Sequence, residues 1–405
     1  MNRLINNWLR FLTVLSAIVL FFTACNKDLP DATPITPTPP SGSSIAETIS
    51  GDANFSLLKF AINRAGLNNL LADKSATFTF FAPDNTAFQL SGFADTNAIK
   101  FLPAAQWNAI ISYNLIGGQK YTAASITPAN PSQNAYLQST LVIQAPSAAL
   151  PPGLRMPIFP GKIATGLVVN NIPVTQADIA VANGVIHKTL AIVAPPTRVL
   201  ADTIYRVADL TYYKAAIARA DSGATGLSRF DSLLKYPVTN MTVLVPNDDA
   251  FRTLIFGLAY GKALAATGDP ATANAMAAGA VAAGPAFLST DNITTADIRA
   301  ILAYHFLASP NAKGAYEPNY RAFSINFSST PTAFKTLING AVAVHPGVMA
   351  QSTFTGPLVS GLTFSSYGSF PPGGAPFSYT ANVVGKDRNA VNGVFHIIDK
   401  VLLPQ

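Results

Sequence analysis

Cysteine is almost absent from this chain of 405 residues. Cys25 stands alone, so no intramolecular disulfide can form and stability has to come from packing. Histidine is scarce too: His187, His305, His345 and His396 are the whole complement, whereas a zinc site needs three or four converging ligands. Charge is thin, at 11% of residues against roughly 25% in an average soluble domain. The surface therefore has to be built largely from Ser, Thr, Asn, Gln, Gly and Pro, which suits contacts with sugars or proteins. The formal net charge is +6, yet Lys and Arg form no cluster of the kind that tracks a phosphate backbone, which argues against a nucleic-acid partner. Catalytic signatures are missing as well. The chain has no Gly-x-Ser-x-Gly, His-Glu-x-x-His, Cys-x-x-Cys or Gly-x-Gly-x-x-Gly. The nearest approach, Gly257 to Lys262, is one residue short of a phosphate loop and places Ala263 where a magnesium-binding hydroxyl belongs. No cofactor and no metal is expected.

The uncharged run 11–24 spans 14 residues, short of the roughly 20 that cross a membrane but suited to a secretory signal. It follows Arg3 and Arg10 and ends at Phe22-Thr23-Ala24-Cys25. Without those two arginines the net charge falls to +4. Small residues before the sole cysteine resemble a bacterial lipobox, which implies residues 1–25 as a lipoprotein signal and Cys25 as the lipid attachment point. Several acyl chains on one cysteine give stable anchoring where one gives only marginal binding. Residues 26–44 hold five prolines among Thr and Ser and read as an extended tether, able to span about 60 Å at about 3.1 Å per residue. The Cys-Asn-Lys-Asp opening is similar to that of surface lipoproteins in the Bacteroidetes. The expected location is the cell outer membrane, with the facing side left open.

The body of the chain carries one three-part pattern twice. The first copy is Phe80-Phe81-Ala82-Pro83-Asp84-Asn85-Thr86-Ala87-Phe88, then Tyr113-Asn114, then Asn183-Gly184-Val185-Ile186-His187. The second is Val243-Leu244-Val245-Pro246-Asn247-Asp248-Asp249-Ala250-Phe251, then Tyr304-His305, then Asn392-Gly393-Val394-Phe395-His396. The offset grows from 163 residues between Pro83 and Pro246 to 209 between His187 and His396, so the second copy carries insertions. A unit this long means two tandem domains and not a solenoid of small repeats. The expected boundaries are 45–196 and 200–405, with insertions near 257–286 and 365–377.

These motifs resemble the fasciclin-type domain, a secreted or cell-surface module, over nearly all of the chain beyond the tether. The resemblance implies an α+β fold: two tandem domains, each a β-wedge or sandwich with packed helices. Where the family pattern has a Tyr-His pair, the first copy has Asn114 in place of the histidine.

Local patterns agree with helices first and strands afterwards. Phe55, Leu58, Ile62 and Ala65 recur at helical spacing, with Asp52 or Asn54 as the cap and Gly66 as the breaker. The run 77–81 alternates as a half-buried strand, and Asp84 or Asn85 can cap the helix after it. Leu210, Tyr213, Ile217 and Ala220 repeat the first helix, and 241–245 repeats the strand. Strands are expected at 139–144, 166–170 and 341–345, and an extra helical hairpin or loop at 257–286. Asn-Gly supplies a turn, and the strand after it places His187 and His396 as half-buried structural rings. Asp399 lies on the opposite strand face from His396, so no catalytic His–Asp pair is expected there.

The functional expectation is a non-enzymatic envelope lipoprotein acting in adhesion or extracellular protein interaction. The resemblance implies partner contact at Tyr304 and His305, more weakly at Tyr113 and Asn114. Tyr367 and Phe370, on an aromatic loop, are further contact candidates. Two alternatives stay open: a glycan-binding accessory of polysaccharide uptake, with those aromatics stacking on sugars, and a hydrolase, which would need clustered carboxylates. The expected partners are the membrane, through the lipid, and a protein or glycan ligand at the cell surface.

Overall fold

The first described turn begins at Ser44, and the sequence builds it as a reciprocal cap. Ser44 Oγ accepts from the Glu47 N–H at 3.2 Å while Glu47 Oε2 accepts from the Ser44 N–H at 2.7 Å, which starts the helix Ile45–Gly51. Helix Ser56–Ala65 follows a short turn in which Asp52 caps the Asn54 N–H. It buries Leu57, Leu58, Ala61, Ile62 and Ala65 and stops at Gly66, whose φ of 72° is the left-handed cap that glycine supplies. Asp84, rather than Asn85, caps the helix Asn85–Leu90 through the Ala87 N–H. In the computed structural model the described residues are 40–126, 135–145, 153–290, 293–311, 313, 315–338, 347–366 and 379–404. Cys25, His345, Tyr367, Phe370 and the expected strand 341–345 lie outside them.

Each repeat folds into a six-stranded sheet. In the first, strand order is Leu115–Gly117, Phe78–Pro83, Gly184–Thr189, Ile172–Val181, Gly166–Val169, Pro160–Ile163. In the second it is Thr332–Phe334, Val348–Thr355, Leu358–Ser366, Tyr379–Ala390, Gly393–Ile398, Met241–Pro246. The central and closing strands pair in parallel in both, Phe78 opposite Gly184 and Met241 opposite Gly393. The helices precede most of the strands, so both domains are α+β. The half-buried reading of the central strand needs correction: all six positions of Phe78–Pro83 are buried, as are those of Met241–Pro246. Phe78, Phe80 and Ala82 face a core shared with the helices, while Phe81 on the other face packs with Tyr113, Met156, Ile158 and Val169. The strand alternates, but both of its faces are covered.

The second domain lengthens the helix after its central strand to Asp248–Thr267 and turns at Gly268 into Pro270–Ala282. This hairpin runs through residues 257–282. From Ser41 onward the chain forms one unit, and a shared cluster joins its domains. Phe159, Ile163 and Val168 of the first pack with Phe323, Ile325, Val359 and Val394 of the second. Arg321 is buried at this seam, its guanidinium 4.5 Å from the Phe159 ring centroid. It donates to Asn389 Oδ1 at 3.2 Å and to the Val391 carbonyl at 2.9 Å. Burial pulls its pKa down to about 10, so it keeps its charge at neutral pH. Its counterpart in the first domain is Lys120. Thr79 Oγ1 bonds Gln119 O and Tyr121 N as Thr242 Oγ1 bonds Tyr320 O and Ala322 N. Lys120, unlike Arg321, is exposed.

Each repeat has its own helices and closing strand, so fragments 45–196 and 200–405 are expected to fold alone. Each should melt below the intact chain because its half of the seam is laid bare. Phe159→Ala should destabilise the intact chain by about 3–5 kcal/mol. Calorimetry on fragments and variant tests this, and an unchanged melt for the variant would show that the seam contributes nothing.

Candidate functional site

The repeated Asn-Gly motif is a clamp. Asn183 Oδ1 accepts from the Ile45 N–H at 2.8 Å, and Nδ2 donates to the carbonyls of Leu71 and Asp73, both at 2.9 Å. Asn392 makes the same three bonds with Leu200, Leu234 and Tyr236, at 2.8, 2.9 and 2.9 Å. One amide thus holds a helix start and the exit of a second helix against the entry of the closing strand. The glycine beside it is required by close approach. A Cβ on Gly184 would sit 1.8 Å from the Phe78 carbonyl oxygen, and one on Gly393 would sit 2.5 Å from that of Met241.

The histidines three residues on are fully buried, not half-buried. His187 Nδ1 accepts from the Asp178 N–H at 3.2 Å and Nε2 lies 2.8 Å from the Tyr121 carbonyl. His396 does the same with the Asp387 N–H and the Ala322 carbonyl, at 3.3 and 3.0 Å. Because Nδ1 accepts, the proton of each neutral ring sits on Nε2 and donates to the carbonyl. Burial lowers the pKa of both rings, against the opposing pull of the neighbouring aspartate. Those aspartates hold left-handed backbone, φ 61° at Asp178 and 58° at Asp387. Each carboxylate accepts from backbone through one oxygen, Asp178 Oδ1 from the Ala123 N–H and Asp387 Oδ1 from the Ser324 N–H, and Asp387 Oδ2 also accepts from the Ser324 hydroxyl. Motif inspection missed this pair. The signal was available, since Asp178 and Asp387 share the 209-residue offset of His187 and His396.

The middle motif closes the frame. Tyr113 Oη accepts from Asn170 Nδ2 at 3.1 Å, and Tyr304 Oη donates to the Gly347 carbonyl at 2.9 Å. His305 Nδ1 donates to the Ile301 carbonyl at 2.7 Å and Nε2 accepts from the Leu402 N–H at 3.0 Å. Asn114 Nδ2 donates to the Ile110 carbonyl, the counterpart of Ile301, and to the Val193 carbonyl, both at 2.8 Å. Val193 and Leu402 are again 209 residues apart, so asparagine links the same two segments as histidine, donating to a carbonyl where the imidazole accepts from an N–H.

The fasciclin domain family matches residues 53–189 and 224–404. The chain belongs to that family. Transforming growth factor-beta-induced protein ig-h3 of Sus scrofa is 29% identical over 165 residues, 39% of this chain and 20% of that protein. The chain thus spans about a fifth of that relative's length. Among solved structures, a FAS1 domain pair from the insect cell adhesion molecule fasciclin I is similar at 14% identity and a TM-score of 0.32, covering 87% of this chain and 98% of that one.

The expected contact site in these fasciclin domains is corrected by burial. Tyr113, Asn114, Tyr304 and His305 expose no more than 1% of their surface, because each side chain ties internal backbone or packs in a core. They offer a partner nothing to touch. Tyr367, Phe370 and the lipid attachment residue Cys25 fall outside the described residues. Among the described residues no three His, Cys, Asp or Glu converge as metal ligands. A cleft of about 860 Å3 opens at the seam between Lys162 and Thr165 on one side and Ser328, Ser329 and Phe354 on the other. It offers hydroxyls, one ammonium and an aromatic ring, but its described lining holds no carboxylate or imidazole.

Asn392→Ala should cost about 3 kcal/mol or more, since it strands one buried N–H and two carbonyls, and urea unfolding would measure it. A pH series tests the histidines. Burial lowers the His305 pKa to about 4 from 6.5, so the folded state binds fewer protons than the unfolded chain between those values. Its contribution is intact above pH 6.5 and is lost as pH falls toward 4, on the order of 3 kcal/mol. His187 and His396 act in the same direction. His305→Asn, which copies the first domain, should flatten this acid loss; an unchanged slope would clear His305 as its source.

Proposed function

We propose that the chain is a non-enzymatic, lipid-anchored protein of the cell outer membrane, whose two fasciclin domains serve adhesion through interaction with an extracellular protein. The observation that carries the reading is the family match over both repeats. The internal use of the repeated polar groups supports the non-enzymatic part. His187, His305 and His396 are bound to backbone within their own domains, and one carboxylate oxygen each of Asp178 and Asp387 accepts from a backbone N–H. The anchor reading rests on Cys25 at the end of its uncharged run and on the proline-rich tether that would lift the domains from the lipid. No helix of the described residues is long and apolar enough to cross a membrane, so within them there is no competing helical anchor. The glycan alternative leaned on Tyr367 and Phe370, and no described residue favours it specifically.

Cys25→Ala should abolish incorporation of a clickable fatty acid and release the protein from the outer-membrane fraction. A variant that still sediments wholly with that membrane would have another anchor. Attachment of cells with and without the chain to immobilised matrix proteins, and to a polysaccharide panel, tests the role itself. Loss of protein attachment alone is the expected result; loss of polysaccharide attachment alone would favour the glycan reading.

A further inference from the structure

We infer that a crevice at the domain seam, on the side of Tyr136 and Val238, docks an extended polypeptide segment carrying apolar side chains next to a carboxylate. This rests on the interaction reading and gives it a place and a ligand chemistry. The first domain supplies Tyr136, Ile143 and Leu154, and the second supplies Pro237 and Val238. Tyr136, Ile143 and Val238 leave 54%, 40% and 61% of their surface in solvent, although all three converge on one opening. Scattered apolar exposure needs no explanation, but convergence from two domains does. The opening measures about 100 Å3, room for one aliphatic side chain. Its far wall continues into the seam, because the Tyr136 ring packs edge-on against Phe159 at 5.6 Å.

The polar groups of the crevice narrow the ligand. Arg155 is exposed and, among the described residues, is engaged only by the Thr140 carbonyl at 3.0 Å and makes no ion pair. Arg321 lies beneath, adding a second positive charge. No aspartate or glutamate is among the described lining residues, so the potential there is positive and calls for an anion. Asn240 Oδ1 is closed off from solvent and has no hydrogen-bond partner among the described residues. A withheld acceptor is costly, and a backbone N–H of a docked segment relieves it once the amide turns toward the opening. Backbone N–H, carboxylate and branched apolar side chain occur together in an acidic-apolar peptide. A neutral glycan supplies hydroxyl donors but no anion.

The test uses the full chain on an array of immobilised pentapeptides with Val, Leu, Ile or Phe at odd positions. The even positions are Asp and Glu in one set, Asn and Gln in a second, and Lys in a third. The acidic set should bind about tenfold more tightly than the amide set. Val238→Asp should remove this preference, and Arg155→Glu should transfer it to the lysine set. Both substitutions are at exposed positions, and an unchanged melt would show that the fold is kept. Equal binding to all sets, or variants that bind as the parent does, overturns the crevice while leaving protein attachment of cells, and so the interaction reading, intact. Self-association, polysaccharide binding or vesicle binding that Val238→Asp abolishes would assign the crevice to that occupant and overturn the peptide.

Discussion

A parallel pairing between strands from opposite ends of a domain costs chain entropy to close, and it is useful only if its register is held. In both domains one asparagine amide does this. Asn183 and Asn392 each collect three backbone groups from segments that precede the central strand and set them against the entry to the closing strand. The glycine that follows lets the two strands approach where a Cβ would collide with a carbonyl. From that fixed end the rest follows in sequence: a buried histidine tied to a bulged aspartate, then a segment tied back to the helix at Asn114 or His305.

These repeated polar residues are therefore the frame of the fold, and they account for its recurrence. What differs between the domains is more informative about function. The helical hairpin Asp248–Ala282 region, the seam and the apolar crevice are not dictated by the shared frame. Surfaces carried on a rigid scaffold are where recognition residues concentrate.

Much of this was legible in the sequence. The two copies, their α+β order, the cap region before Ala87 and the turn at Gly66 follow from spacing and residue type alone. The fate of the Tyr-His pair does not, because an aromatic beside an imidazole serves equally well at a surface or in a core. Only the sheet above Tyr304 and the carbonyl at Gly347 decide it. The aspartates Asp178 and Asp387 stayed hidden because their importance lies in backbone shape, a left-handed residue in a bulged strand. The seam stayed hidden for another reason: Phe159 and Arg321 meet only after two separate cores have formed.

A head-to-tail contact between two similar domains leaves an unmatched half of the grip on each of them. The grip here is a guanidinium laid on a ring, and the equivalent position of the first domain holds Lys120 instead. An ammonium is compact and strongly hydrated, and it is a poor substitute for a flat, weakly hydrated group at a buried contact. The first domain therefore presents at that position a charge that prefers water, where the second presents one that a ring can cover.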